Sequence, residues 1–413
     1  MRRGGGENNS MNGSVRNETS EPLHHYLQRL LGRLFVRSEN FTAGRYWVLE
    51  TLFLAVLFSV LFSGGVDDRR LSVATGDYWF PAYFQKIEHP LLDVAKKNPP
   101  GNHEAKLNFR LTVPVILHVL HVPADQRWTL PVLAVCGTCA LILISCVFAF
   151  RVTGDRVCGL YAALAVSATY IGSFGFAMYY DTIALSQVAL AMLPGMSWPW
   201  KGLLVFTASF TDERALPASL FLLVQILCAP TGQKLRERVF RPDFLAVIGG
   251  MVAYCAARFA LQQFAGLTSP HAGIGPGFLL TNTPFWHAGI WLALKGGWLL
   301  VGVAAICLWR NRQLPALSAF LLVTALCVGS GFLVEDVLRS TAYVFPAFLV
   351  ALLVAAANEN TRWMRLYCLA AFLISAIAGN YNVWRSEITW FQPVTAKVLR
   401  HILQTTIGPS LLR

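Results

Sequence analysis

Charged side chains are scarce in this chain. Asp, Glu, Lys and Arg make up 14% of its 413 residues against 55% hydrophobic, and mean hydropathy is +0.50. One soluble core cannot hide that much apolar surface, which excludes a water-soluble globular class. Familiar reaction signatures are missing as well. No HExxH, no GxxxxGK, no GxGxxG after a strand and no GxSxG occurs, which disfavours P-loop ATP-driven pumping and serine hydrolysis through a nucleophile elbow. Acidic residues are the rarer sign, 22 against 34 basic, for a formal net charge of +12. In a polytopic chain basic residues report orientation first, so no nucleic-acid partner is expected. The nine cysteines all fall in or at the edge of apolar runs, so they imply no disulfide framework. Cys136 and Cys139 form a CxxC inside LAVCGTCALILIS, but without a second ligand pair they read as small core residues, not a redox or zinc site.

What the chain has in abundance is long apolar runs. A bilayer-spanning helix needs about 20 apolar residues. The pattern predicts an all-α polytopic integral membrane protein with about eleven transmembrane helices, at about 47–64, 128–150, 157–178, 182–197, 201–211, 215–229, 244–264, 288–308, 316–333, 341–357 and 365–380. The first begins after a long polar start, too far in for a cleaved signal, and reads as a retained span. Residues 1–45 are expected to be a cytoplasmic polar tail and a basic amphipathic helix, in which Leu27, Leu30, Leu31, Leu34 and Phe35 recur beside Arg29, Arg33 and Arg37. With the N-terminus inside, every predicted inner link carries a basic residue: Arg151 and Arg156, Lys201, Lys234 to Arg241, Arg310 and Arg312, Arg362 and Arg365. The C-terminus then lies outside, residues 46–385 form the transmembrane domain, and 386–413 form an extracytoplasmic amphipathic segment. The apolar stretch 107–122, broken by Pro114, His118 and His121, would invert every later loop if it spanned. It reads as an interfacial or re-entrant helix within a large first extracytoplasmic loop, 65–127.

Against that background FTDERALPASLF is anomalous. Asp212, Glu213 and Arg214 interrupt two short apolar runs and cap a helical hairpin at the outer face. Charge at membrane depth costs roughly 2.5 to 3.5 kcal/mol per residue on insertion scales, so it usually lines a wet cavity; the alternative is a solvated turn with an internal ion pair. Other polar groups emerge on the same side: Asp67, Asp68, Asp77, His103, Glu104, Lys106 and Arg110 from the first loop, Tyr179, Tyr180 and Asp181 after the third span, Glu335, Asp336, Arg339 and Tyr343 after the ninth, and Lys295 inside the eighth. A carboxylate and a cation side by side suit proton removal and phosphate binding. Each has a structural reading too: Asp67 and Asp68 in a Gly-initiated turn, Asp77 or Asp181 as helix caps, Lys295 and Arg339 snorkelling or paired. His24 and His25 read as interfacial surface, and no metal site is expected.

The order of landmarks resembles the GT-C superfamily of polytopic glycosyltransferases that use polyprenyl-phosphate-linked sugars. GVDDRRLSVATGDYWFPAYF stands where those proteins carry a catalytic acid in the first loop. YYDTIALSQVALAML and KGLLVFTASFTDERALPASLF resemble their acidic and charged-pair landmarks, and EDVLRSTAYVFP is similar to their late acidic-Arg-aromatic-Pro element. The chain departs from the family in lacking an Asp-Glu pair in that loop, so the base stays open between Asp77 and the Asp67/Asp68 pair, and in lacking a large soluble domain after the last span. The resemblance implies inverting transfer of a sugar from polyprenyl phosphate to a glycan, lipid or protein acceptor in the envelope, on the extracytoplasmic face of a bacterial inner membrane. It implies a lipid-linked sugar donor and no other cofactor, with dependence on a divalent metal left open. Asp77 would be the base, with Asp181, Asp212, Glu213, Arg214, Lys295, Arg339 and Tyr180 binding substrate and Arg339 holding the phosphate. The rival readings are a transporter or flippase of an anionic or lipid-linked substrate, and a non-catalytic envelope assembly protein.

Overall fold

The computed structural model of the chain describes residues 23–62, 80–97, 103–123, 129–174, 180–229, 235–268, 275–384 and 387–391. Their regular elements are helices apart from one two-stranded hairpin. The longer elements are α1 (Leu23–Thr42), α2 (Trp47–Phe62), α3 (Phe80–Glu88), α4 (Thr112–Val119), α5 (Thr129–Thr153), α6 (Arg156–Ser167), α7 (Asp181–Ala191), α8 (Trp198–Thr211), α9 (Ala215–Cys228) and α10 (Pro242–Phe264). There follow α11 (Trp286–Leu294), α12 (Gly297–Arg310), α13 (Leu314–Phe332), α14 (Pro346–Asn358) and α15 (Thr361–Ile377), then β1 (Asn380–Trp384) and β2 (Glu387–Phe391).

Helices stand at all eleven expected positions, but they are not eleven spans. Among the described residues four helical stretches are long and apolar enough to cross a membrane: Val132–Thr153, Pro242–Phe264, Leu314–Phe332 and Val337–Asn358. The number rises to six if two bent pairs count, α1 with α2 at 118° and Pro276–Leu294 with α12 at 84°. The expectation fails at helices such as α7, with 11 residues, and α8 and α9, with 14 each. At 1.5 Å per residue these reach about 17 to 21 Å, against a hydrocarbon core of about 30 Å. Stretch 107–122 yields the eight-residue α4, far too short to cross, which is tied to α8 by Thr112 Oγ1 donating to Thr207 O at 2.7 Å.

α14 lies at the centre, with Leu349, Val350, Ala351 and Leu352 fully buried, and α5, α6, α7 and α9 contribute to the same core. α10 is the opposite case. Only 17% of its apolar window is buried, and Leu245, Val252, Phe259 and Phe264 face outward, as a lipid-contacting helix requires. It crosses α8 where both backbones are bare: a Cβ on Gly250 would fall 2.4 Å from Gly202 O, so small residues are obligatory at that contact.

Several of the basic links predicted from the sequence gather at one end of the bundle. Arg156 donates to the carbonyls of Thr42 and Ala43, at 3.0 and 3.1 Å, and Arg151 to Pro194 O at 2.7 Å. Arg365 reaches Asp155 at 2.6 Å and Glu39 at 2.5 Å, which fastens α1 beside α6 and α15.

A compact polar knot organises the described part of the first loop. Asp93 accepts from Asn108 Nδ2 at 2.7 Å, from Ala95 N at 2.9 Å and from Thr268 N at 3.2 Å, tying the loop to the segment after α10. Burial raises the Asp93 pKa, but these hydrogen bonds outweigh it and hold the carboxyl below its usual value. Beside it Lys86 is fully buried and donates to Leu92 O at 3.1 Å. Burial lowers its pKa to about 8, with Asp93 opposing.

At the other end of the chain β1 and β2 pair antiparallel, Asn380 opposite Phe391 and Trp384 opposite Glu387. The sequence reading expected a span ending at 380 and an amphipathic segment from 386. The alternation of β-branched and aromatic residues in NYNVW and EITWF suits a hairpin instead. Residues 392–413 lie outside the described residues, and so do residues 1–22.

Candidate functional site

The answer to why DER interrupts the apolar pattern is a ladder of alternating charges. α8 ends at Thr211, and Asp212 turns extended, with φ −155° and ψ 128°. Its Oδ1 accepts from Arg214 N at 3.0 Å, closing an Asx turn that starts α9. The side chain of Asp212 is fully buried, and it takes Arg214 Nε and Nη2, both at 2.7 Å, and Arg110 Nη2 at 2.9 Å. Arg214 reaches onward to Asp181 Oδ1 at 2.5 Å and to Ser340 Oγ at 3.0 Å. Asp181 Oδ2 accepts Arg339 Nε at 3.0 Å and Nη2 at 2.8 Å, while Tyr343 Oη donates to Oδ1 at 3.2 Å. Arg339 ends on Asp336 through Nη1 at 3.0 Å. The run is Arg110, Asp212, Arg214, Asp181, Arg339, Asp336, built from four separate parts of the chain.

Local structure explains why the carboxylates are there. Asp181 lies in the first turn of α7 and Asp212 just ahead of α9, where helix dipoles favour negative charge. Asp336 is the N-cap of the one-turn helix Val337–Thr341. Asp181 does not cap α7; Tyr180 holds that position without a side-chain cap bond. Three helix starts thus converge, and the arginines neutralise the acids they carry. The Arg214 guanidinium carbon stands over the Tyr343 ring, 4.9 Å from its centroid, a cation–π contact that adds to that rung.

The structure brings Asp181, Asp212, Arg214 and Arg339 into one network, and Glu213 stands within electrostatic reach of Arg110 and Lys106. Burial first and the neighbouring Arg110 second lower the Lys106 pKa to about 8. Tyr180 is buried with its ring edge-on to Tyr83, centroids 5.2 Å apart, so it offers no open stacking face. Lys295 does not join the group. Its Nζ donates to the carbonyls of Ala168 at 2.9 Å, Ser375 at 3.4 Å and Ala378 at 2.7 Å, while its backbone, at φ +46°, forms the break between α11 and α12. It is a structural cross-link. The proposed bases Asp77, Asp67 and Asp68, together with Tyr78, Trp79 and Tyr179, lie outside the described residues.

Arg110 and Asp336 are the ladder members that sequence reasoning placed among the outer-face charges but not in the site. For Arg110 the available signal was a cation inside an apolar stretch, which in a membrane protein needs a partner. Next to it an apolar groove of about 720 Å³ opens between α4, α8 and α10, lined by Leu111, Thr112, Phe206, Phe210, Leu261 and Phe264. Arg258 lies nearby, its guanidinium 4.3 Å from the Phe109 ring centroid and donating to Tyr254 Oη at 2.8 Å. Among the described residues no group of three or more His, Cys, Asp or Glu side chains is placed to hold a metal ion. Comparison with protein-family models, curated proteins and solved structures finds no match.

Proposed function

We propose that this chain is a membrane glycosyltransferase that moves a sugar from a polyprenyl phosphate to an envelope acceptor by inverting displacement, on the extracytoplasmic face of a bacterial inner membrane. The observation that carries the reading is the adjacency of an apolar groove and a ladder of alternating arginines and aspartates whose Arg110 end stands beside the groove, a head-and-tail arrangement suited to an amphiphilic phosphate. In the reaction a carboxylate, Asp77 by resemblance with Asp67 or Asp68 as alternatives, takes the proton of the acceptor hydroxyl. The oxygen forms a bond to the anomeric carbon from the face opposite the phosphate, and the bond from that carbon to the phosphate oxygen breaks. The lipid phosphate leaves with both electrons, its charge met by guanidinium groups, so no general acid is needed.

The test is mass spectrometry of envelope glycolipids and glycans in a deletion strain carrying wild type or Asp77→Asn at equal membrane abundance. A sugar that disappears on deletion, returns with wild type and stays absent with Asp77→Asn supports the reading. Restoration by Asp77→Asn moves the base to Asp67 or Asp68. A deletion that changes no glycan removes the transferase reading in favour of transport or assembly.

A further inference from the structure

The donors along the ladder are unevenly committed. A guanidinium carries five N–H donors. Arg339 directs Nε and Nη2 to Asp181 and Nη1 to Asp336, and Arg214 uses all three nitrogens on Asp212, Asp181 and Ser340. Among the described residues Arg110 makes one side-chain ion pair, through Nη2 to Asp212. Its Nε is buried and has no hydrogen-bond partner among the described residues, and the same is true of Tyr180 Oη. The two residues are 7% and 3% exposed. Native interiors hold few such orphaned groups, and each calls for an explanation. Here the two orphans lie within electrostatic reach of one another, and Tyr83, packed edge-on against Tyr180, is within reach of the same guanidinium. Both can donate, so what completes them is a compact acceptor, and the charged groups in reach, Arg110, Arg214 and Lys106 against Asp212 and Glu213, leave an excess of positive charge that favours an anionic one.

We infer that Arg110 Nε and Tyr180 Oη form an oxyanion subsite beside the apolar groove, and that Arg110, not Arg339, is the guanidinium that contacts the phosphate of a bound amphiphile. Leu111 follows Arg110 in the chain and lines the groove, so a phosphate held there leaves its hydrocarbon chain along Leu111, Phe210 and Leu261. Arg339 is a positioning residue that holds Asp181. This assignment rests on the polyprenyl-phosphate reading above and names the atoms that make the contact.

The experiment measures binding of farnesyl phosphate and of farnesol to the purified full chain in nanodiscs, with thermal stability measured in parallel. Wild type is expected to prefer the phosphate by at least about tenfold, the range of a charged hydrogen bond. Tyr180→Phe and Arg110→Lys should each cut that preference by about tenfold, and Arg339→Lys should leave it unchanged. Tyr180→Phe keeps the ring and deletes an unpartnered hydroxyl, so its ligand-free stability should equal or exceed wild type. If wild type prefers the phosphate but Tyr180→Phe and Arg110→Lys retain the full preference, the subsite is refuted and the donor reading survives. If Tyr180→Phe destabilises the ligand-free protein without altering the preference, the hydroxyl holds a structural water and the inference fails. If wild type shows no preference for the phosphate, the donor reading falls and the subsite with it.

Discussion

Neutralising the ladder one carboxylate at a time should give a graded loss of stability, because the three acids differ in burial and in what they leave behind. Asp212→Asn keeps the shape but strands Arg110, whose one ion pair among the described residues it is and whose side chain is 8% exposed. Removing one partner of a buried pair costs about 3 to 5 kcal/mol, chiefly through the orphaned charge. Asp181→Asn takes one partner each from Arg214 and Arg339, yet those keep Asp212 and Asp336, so a loss of about 2 kcal/mol is expected, the scale of hydrogen bonds to charged groups. Asp336 is 23% exposed and makes one side-chain contact with Arg339. Asn caps a helix as well as Asp does, so Asp336→Asn should cost at most about 1 kcal/mol. Detergent-induced unfolding in mixed micelles, followed by tryptophan fluorescence, measures all three. The decisive step is to add Arg110→Met to Asp212→Asn. With the stranded charge gone, at least half of the lost stability should return. If Asp212→Asn is no worse than Asp336→Asn, or if Arg110→Met deepens the loss, the ladder is not what holds this end together.

Gly250→Leu should abolish stable folding in the membrane, and Gly250→Ala should lower the unfolding midpoint, since any Cβ there meets Gly202 O; a Leu variant as stable as wild type would rule out the backbone contact. Stability should rise between about pH 8 and 10.5 through Lys86, because in that window the unfolded chain binds a proton that the folded ammonium has released, whereas below about 8 both are protonated and the burial cost is constant. Lys86→Met should cut that rise by about half in unfolding measured from pH 7.5 to 9.5, leaving the slope that Lys106, also lowered to about 8, contributes in the same direction. Asp93→Asn should speed hydrogen exchange at the Ala95 and Thr268 amides, both of which donate to its carboxylate, while leaving amides in α14 unchanged. Unaltered exchange at Thr268 would mean that the knot contributes no rigidity.

Helix positions were legible because apolar runs are a local property. Whether a run crosses the membrane was not. α7, α8 and α9 have the right composition but are short and packed among other helices, and hydropathy reports an apolar environment without saying whether lipid or protein supplies it. Asp181, Asp212, Arg214 and Arg339 were readable as out-of-place charges. Their pairing was not, since Arg110 and Asp212 stand far apart in the chain and no periodicity links them. Lys295 shows the same limit from the other side. A lysine in an apolar run signals a partner, and here the partners are three backbone carbonyls that no side-chain pattern betrays. The expected strand-free C-terminal region missed the hairpin because a few alternating residues also fit the end of a helix.

The bare crossing of α8 and α10 makes α10 a lever. Its axis is pinned at Gly250, and Lys201 holds its first turn through Asp243 at 3.2 Å. From the pivot to Phe264 the arm is about 21 Å long at 1.5 Å per residue, so a tilt of about 5° carries Phe264 through about 2 Å. Phe264 is a wall of the groove, and four residues beyond it Thr268 is fastened to Asp93. A displacement of Phe264 that changes the groove is therefore passed within four residues to the Asp93 hydrogen bonds that hold the described part of the first loop.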